Sequence, residues 1–181
     1  MPRLLLINGL PGSGKSTLAE RYIGERPLAL SLDVDVVRGL LGRWLDRPTE
    51  AGQLARQLAL SMGRVALREG RDVVVPQFLA RPQFIQDLEM LAQRSAAEFV
   101  EVVLVEDLAV AMGRLAQRAA QPETAVQRDA HVLLDRDGGV AALPRLHRLL
   151  HDLLATRSRA RWVTPVPGNP DETYRRLLSV L

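Results

Sequence analysis

The chain has 181 residues, with 24 basic against 21 acidic side chains, a net charge of +3 and no cysteine. That length suits one domain, residues 1–181, with a sizeable core; it is short for two full domains or a large motor ATPase. Without Cys, a disulfide framework, a thiolate zinc site and a cysteine nucleophile are excluded.

Of the 24 basic residues, 23 are Arg and one, Lys15, is Lys. The sequence pI near 10.1 overstates the basicity, because little titrates between His and Arg. The positive excess lies in residues 111–161, with nine Arg against five acids. No apolar run approaches the roughly 18–20 residues that cross a bilayer, and the start lacks a signal-peptide core. The expectation is a soluble, cytoplasmic protein.

In chain order, Leu4–Ile7 is a short apolar run ending at Gly and reads as a buried parallel strand. Ser16 to Gly24 reads as a helix and Leu28–Leu32 as a second strand. Val34–Leu45 and Thr49–Glu69 carry helical apolar spacing on either side of Pro48. Asp72–Val75 is a β-branched strand stopped by Pro76. Pro82–Ser95 is a helix with Pro in its first turn. Glu98–Val105 is a Val-rich strand, and Leu108–Ala119 a helix. Residues 120–127 read as an exposed polar loop, and Gly138-Gly139 splits two further helical segments. Trp162–Val166 is a last strand, Pro167–Pro170 a turn, and Asp171–Leu181 a terminal helix started by Asp171. Strands alternating with helices predict an α/β fold: a parallel sheet with helices on both faces.

Gly9-Leu-Pro-Gly12-Ser13-Gly14-Lys15-Ser16-Thr17 matches G-x-x-x-x-G-K-[ST] in full, directly after a strand and opening a helix. Glycines let backbone N–H groups close around phosphate oxygens, and the helix N-terminus adds a fixed positive field. Gly12, Ser13, Gly14, Lys15, Ser16 and Thr17 are therefore candidate nucleotide-binding residues. Lys15 would reach the β- and γ-phosphates, and the Ser16 hydroxyl would ligate Mg²⁺. The single Lys falls where a compact ammonium suits the site better than a guanidinium fork. It also excludes the Asn/Thr-Lys-x-Asp guanine motif of GTPases, which needs a second Lys. Asp135-Arg-Asp-Gly138 matches the GTPase Asp-x-x-Gly string but lies too far downstream.

Ser31-Leu-Asp33-Val-Asp35-Val-Val-Arg38 follows the second strand. A carboxylate at that strand's end faces bound phosphates; it can take a proton from an acceptor hydroxyl or help hold hydrated Mg²⁺. Asp35 and Arg38, at i and i+3, share one helix face. Asp33 is also suited to cap the helix.

The phosphate loop followed by Asp-x-Asp-x-x-Arg resembles the small P-loop kinases of the nucleoside-monophosphate-kinase-like superfamily. Adenylylsulfate kinases carry a similar Leu-Asp-Gly-Asp-x-x-Arg and shikimate-type kinases Asp-x-Asp; polynucleotide 5′-hydroxyl kinases and zeta-toxin-like kinases carry an Asp in the same place, the former with Asp-x-x-Arg. The resemblance implies a P-loop NTPase fold with a five-stranded parallel sheet and a small Arg-bearing lid, near 118–128. It implies ATP with Mg²⁺ as cofactors, Asp35 as base, Arg38 on the acceptor, Arg114 stacked on adenine and Arg118 on the transferring phosphoryl. Metal contacts would fall to Ser16 and Asp33. Two departures stand out. After strand three the chain reads Val75-Pro76-Gln77-Phe78, where polynucleotide-kinase relatives carry Asp-x-Thr-Asn, and the strand-three Asp is missing. Gln77, Phe78 and Arg81 could instead line an acceptor pocket.

These residues imply an ATP-dependent phosphotransferase acting on a hydroxyl of a small molecule, with no membrane partner. A nucleic-acid 5′-hydroxyl is the nearest alternative, disfavoured by modest charge and by the lack of a basic, aromatic-studded groove. An ATP-binding switch or regulatory ATPase without an acceptor is the alternative of another class. A toxin acting on a nucleotide-sugar is a third possibility. His147 and His151 lack a third ligand and read as a helix face; Trp44 and Trp162 read as packing residues. Gly168-Asn169-Pro170 resembles the turn beside adenine in related kinases.

Overall fold

A computed structural model of the chain describes residues 1–120, 132 and 138–181, the side chains of 118–120 excepted. The side chain of Arg118, Arg128, Arg136, residues 121–128 of the expected lid and the helical segment before Gly138 lie outside the described residues.

Five strands form one parallel sheet in the order β2-β3-β1-β4-β5. They are β1 (Arg3–Gly9), β2 (Leu30–Ser31), β3 (Val73–Pro76), β4 (Glu98–Leu104) and β5 (Arg161–Val163). The central strand β1 pairs Leu4–Ile7 with Val73–Pro76 on one side and Arg3–Gly9 with Glu98–Leu104 on the other. Leu4, Leu5, Leu6, Ile7, Val73, Val74 and Val75 are all fully buried, as continuous apolar runs covered on both faces require.

Helices cover both faces. On one face Leu4, Leu6, Val73 and Val75 pack with α3 (Pro48–Arg68) and α4 (Pro82–Arg94). The buried stripe of α3 is Ala51, Ala55, Ala59, Gly63 and Leu67, nearly all small at four-residue spacing, so the helix lies close to its neighbours. A Cβ on Gly63 would sit 3.2 Å from Leu91 Cδ2 and 3.4 Å from Leu32 Cδ2. On the other face Leu5, Ile7, Val74 and Val102 pack with Leu18 and Tyr22 of α1 (Lys15–Gly24) and with Tyr174 and Leu177 of α7 (Pro170–Ser179). A third apolar cluster joins Leu10 and Val103 to Ala111 and Leu115 of α5 (Leu108–Ala120) and to Leu150 and Leu154 of α6 (Leu143–Leu154).

Several elements differ from the sequence expectation. The expected helix Val34–Leu45 is two pieces, α2 (Val34–Gly39) and a 3₁₀ turn at Trp44–Asp46. Glycines at 39 and 42 interrupt it, and Arg43 takes a left-handed φ of 51° that swings Trp44 inward. Strand β2 is two residues long, since Leu28 has φ 64° and is exposed. The terminal helix begins one residue earlier and is capped by Asn169, whose side chain accepts from Glu172 N at 2.9 Å; Asp171 lies in its first turn. Trp44 is buried as expected, but Trp162 is 51% exposed on the edge strand. Among the described residues no helix is long and apolar enough to cross a membrane.

Candidate active site

The carboxyl end of β1 turns into the phosphate loop and then α1. Two glycines make that turn possible. Gly9 has φ 151°, and a Cβ there would lie 2.9 Å from Ser13 Oγ and 3.0 Å from Leu104 Cβ. Gly14 has φ 92° and occupies the N-cap position of α1. Neither geometry tolerates a side chain readily. Ser13 N donates to Leu10 O at 3.2 Å, and Lys15 Nζ donates to Leu10 O at 2.8 Å, so the ammonium is held against its own loop. Ser13 Oγ is buried without a hydrogen-bond partner. Ser16 and Thr17 follow, exposed, in the first turn of α1.

Asn8 anchors the loop and was not singled out by the sequence. It is fully buried at the end of β1. Its Oδ1 accepts from Gly9 N at 2.8 Å and from Leu79 N at 2.9 Å, and its Nδ2 donates to Leu79 O at 2.9 Å. These bonds join the phosphate loop to the segment after β3. The signal available was a carboxamide closing an otherwise apolar run.

β2 delivers Asp33 and Asp35 to the same end of the sheet. Asp33 caps α2, its Oδ1 accepting from Asp35 N at 2.8 Å. Burial pushes the Asp33 carboxyl above the ordinary carboxylate value, with the neighbouring Asp35 adding to the rise; Lys15 pulls the other way. Asp35 pairs with Arg38, Oδ1 to Nη1 at 2.9 Å. The Arg38 guanidinium lies 4.6 Å from the centre of the Trp44 ring, and its Nε is buried without a hydrogen-bond partner. Gln77 directly follows β3. Its backbone N–H donates to Ile7 O at 3.1 Å, and its side-chain Oε1 is buried without a hydrogen-bond partner. Phe78 packs into the third apolar cluster, and Arg81 is exposed just before α4.

Beside the phosphate loop lies a cavity of about 210 Å³. Ser13, Gly14 and Thr17 form one wall, Arg114 another, and Val166 and Asn169 a third. The Gly168-Asn169-Pro170 turn and Arg114, both singled out in the sequence, thus meet at one cavity. Arg114 Nη1 pairs with Glu106 Oε1 at 2.5 Å. Glu106 is a second residue that sequence reasoning passed over; the signal was an acidic pair, Glu106-Asp107, immediately after the Val-rich strand. His147, half-buried, and His151, exposed, lie on α6 with Nε2 atoms 3.1 Å apart. No group of three metal-ligating side chains occurs among the described residues.

The parallel sheet and the phosphate loop at its central strand define a P-loop NTPase fold of the small-kinase kind. The chain belongs to the AAA domain family AAA_33, whose model matches residues 4–143. Solved structures share the architecture along the whole chain. A protein from Chloroflexus aurantiacus J-10-fl, classed by name among the kinases, has a TM-score of 0.68 at 15% identity, covering 99% of this chain and 93% of that one. A gluconokinase from Sinorhizobium meliloti 1021 has a TM-score of 0.62 at 19% identity, covering 99% and 91%. The tunicamycin resistance protein of Deinococcus radiodurans has a TM-score of 0.59 at 18% identity, covering 99% and 96%.

Proposed function

We propose that the protein transfers the γ-phosphate of ATP to a hydroxyl of a small-molecule acceptor. The observation that carries this reading is the placing of two carboxylates at the end of β2. Asp33 caps α2, and Asp35 lies two residues on, in the first turn of that helix, held by Arg38. A nucleotide-binding switch needs the loop but has no use for a second carboxylate paired to a stacked Arg. Support also comes from the architecture shared with a gluconokinase, an enzyme of a hydroxylated small molecule.

ATP phosphates would lie over the N–H groups of Gly12, Ser13 and Gly14. Lys15 would exchange its bond to Leu10 O for phosphate oxygens. Asp35 would accept the acceptor O–H proton as that oxygen bonds to the γ-phosphorus and the bond to the ADP oxygen breaks. Arg38 would hold the acceptor beside Asp35, and Arg118 would close over the phosphoryl from the lid. Gln77, with an unpartnered carbonyl oxygen, would face the acceptor.

The donors at this end of the sheet fit Mg²⁺. The exposed Ser16 hydroxyl and the Asp33 carboxylate are hard oxygen ligands, and a hydrated Mg²⁺ needs few protein donors. Bound with ATP, the ion would neutralise phosphate charge.

The test is transfer from γ-³²P-ATP across a panel of alcohols, sugars, nucleosides and 5′-hydroxyl oligonucleotides. Labelled product with a small molecule, lost in Asp35→Ala while ATP still binds, supports the reading. Label on oligonucleotides alone would move the acceptor to a nucleic-acid end. ATP hydrolysis alone, unchanged in Asp35→Ala, would make the protein a regulatory ATPase.

A further inference from the structure

Glu106 follows β4 at the carboxyl end of the sheet and is unused in the transfer chemistry above. Its side chain is only 5% exposed. Neither carboxylate oxygen has a hydrogen-bond partner, yet Oε1 lies 2.5 Å from Arg114 Nη1. Burial pushes this carboxyl above its ordinary value, while Arg114 first and Lys15 after it act in the opposite sense and Asp107 adds to the rise. A buried carboxylate in that setting is tolerated because a cation is held against it.

The held cation is the one that borders the cavity. Arg114 lines the space between Ser13, Gly14 and Thr17 on one side and Val166 and Asn169 on the other. Its Cβ lies 3.8 Å from where a Cβ on Gly12 would stand, so α5 rides against the phosphate loop. Among the described residues, no aromatic side chain lines this cavity. A flat ring entering it therefore has one delocalised planar partner there, the Arg114 guanidinium. A guanidinium donates from its edge and stacks through its face.

We propose that Glu106 is a positioning residue for the nucleotide base: its buried carboxylate pairs with the Arg114 guanidinium and so holds at the cavity wall the group on which the base stacks. This rests on the ATP reading of the site. Free in solution, an Arg side chain samples many rotamers, and ordering it on binding opposes association; the carboxylate beneath removes that cost beforehand.

The experiment compares ATP with inorganic tripolyphosphate, which carries the phosphates and no base, by isothermal titration of the full chain with Mg²⁺. In Glu106→Gln the ATP Kd should rise about tenfold, the scale of one stacked cation, while the tripolyphosphate Kd stays within about twofold. Arg114→Ala should lose a similar factor for ATP, and the double variant no more than either alone, since both remove one interaction. Equal weakening toward both ligands would overturn the proposal, because it would mean that Glu106 supports the loop as a whole. Unchanged ATP affinity, or additive losses in the double variant, would overturn it too. Lys15→Ala distinguishes failure of the reading beneath: if wild-type binding of both ligands does not depend on Lys15, the nucleotide site is elsewhere and both ideas fall together.

Discussion

Asp35 Oδ1 and Arg38 Nη1 meet at 2.9 Å across one turn of α2, and the guanidinium extends from there over the Trp44 ring. The contact has two consequences. The carboxylate is held in one rotamer by its ion pair, and the Arg is held between Asp35 and the Trp44 ring. In the phosphotransferase reading, that rotamer is the one that meets the acceptor hydroxyl. Trp44→Leu removes the stacking face while keeping an apolar side chain in the buried site. It should raise the acceptor KM several-fold with a smaller change in kcat, as steady-state kinetics would record; an unchanged KM would separate Trp44 from acceptor binding.

Asn8 is expected to be a sensitive polar residue outside the catalytic set. Its three bonds to Gly9 and Leu79 are fully buried. Asn8→Ala strands two backbone N–H groups and one carbonyl, each costing about 1–3 kcal/mol when left unsatisfied. Urea unfolding should show a loss of at least about 3 kcal/mol. Nucleotide affinity should fall as well, since Gly9 N is one of the stranded groups.

Gly9→Ala tests the loop by steric means. Its Cβ would meet Ser13 Oγ at 2.9 Å and Leu104 O at 3.0 Å, on a φ of 151°. Backbone must move, because Leu104 O belongs to the central sheet. ATP binding measured by titration should be lost or reduced more than a hundredfold, about 2.7 kcal/mol, with the circular-dichroism spectrum retained.

Arg157 carries a prediction about pH. It bridges Glu89 Oε1 at 2.6 Å and Glu101 Oε2 at 2.7 Å, tying α4 to β4. Glu101 is 3% exposed, and burial raises its carboxyl above the ordinary 4.5 although Arg157 opposes the rise. Arg157→Met leaves the carboxylate buried without its cation, a loss of about 3–5 kcal/mol at neutral pH. A carboxyl whose folded value is raised binds more protons folded than unfolded, so its contribution is full below 4.5 and fades as pH rises through the folded value. The stability gap between Arg157→Met and wild type should therefore narrow on going from pH 8 to pH 5. A gap constant across that range would show that Glu101 is not what the substitution exposes.

The sheet was legible because its strands are continuous apolar runs; Leu4–Ile7 and Val73–Val75 have no polar alternative that would let them sit elsewhere. The phosphate loop was legible because its glycines and single Lys occur in one short string. The α2 break was harder. Helical apolar spacing continues from Val34 to Leu45, yet α2 ends at Gly39, and beyond it the left-handed Arg43 leads into a separate turn that buries Trp44. Asn8 acts through Leu79, 71 residues along the chain, and Glu106 meets Arg114 across the turn from β4 into α5, which is not a fixed helical or strand spacing. Asp35 and Arg38 were readable because their contact is one helical turn long.

The central claim is that Asp35 accepts the proton of an acceptor hydroxyl while the phosphate loop holds ATP. The most direct measurement is γ-³²P transfer to the best acceptor of the panel, wild type against Asp35→Asn, with ATP binding titrated in parallel. The account predicts a fall in kcat of about 10²–10⁴-fold with the ATP Kd within about twofold. Transfer that continues at the wild-type rate in Asp35→Asn would contradict it.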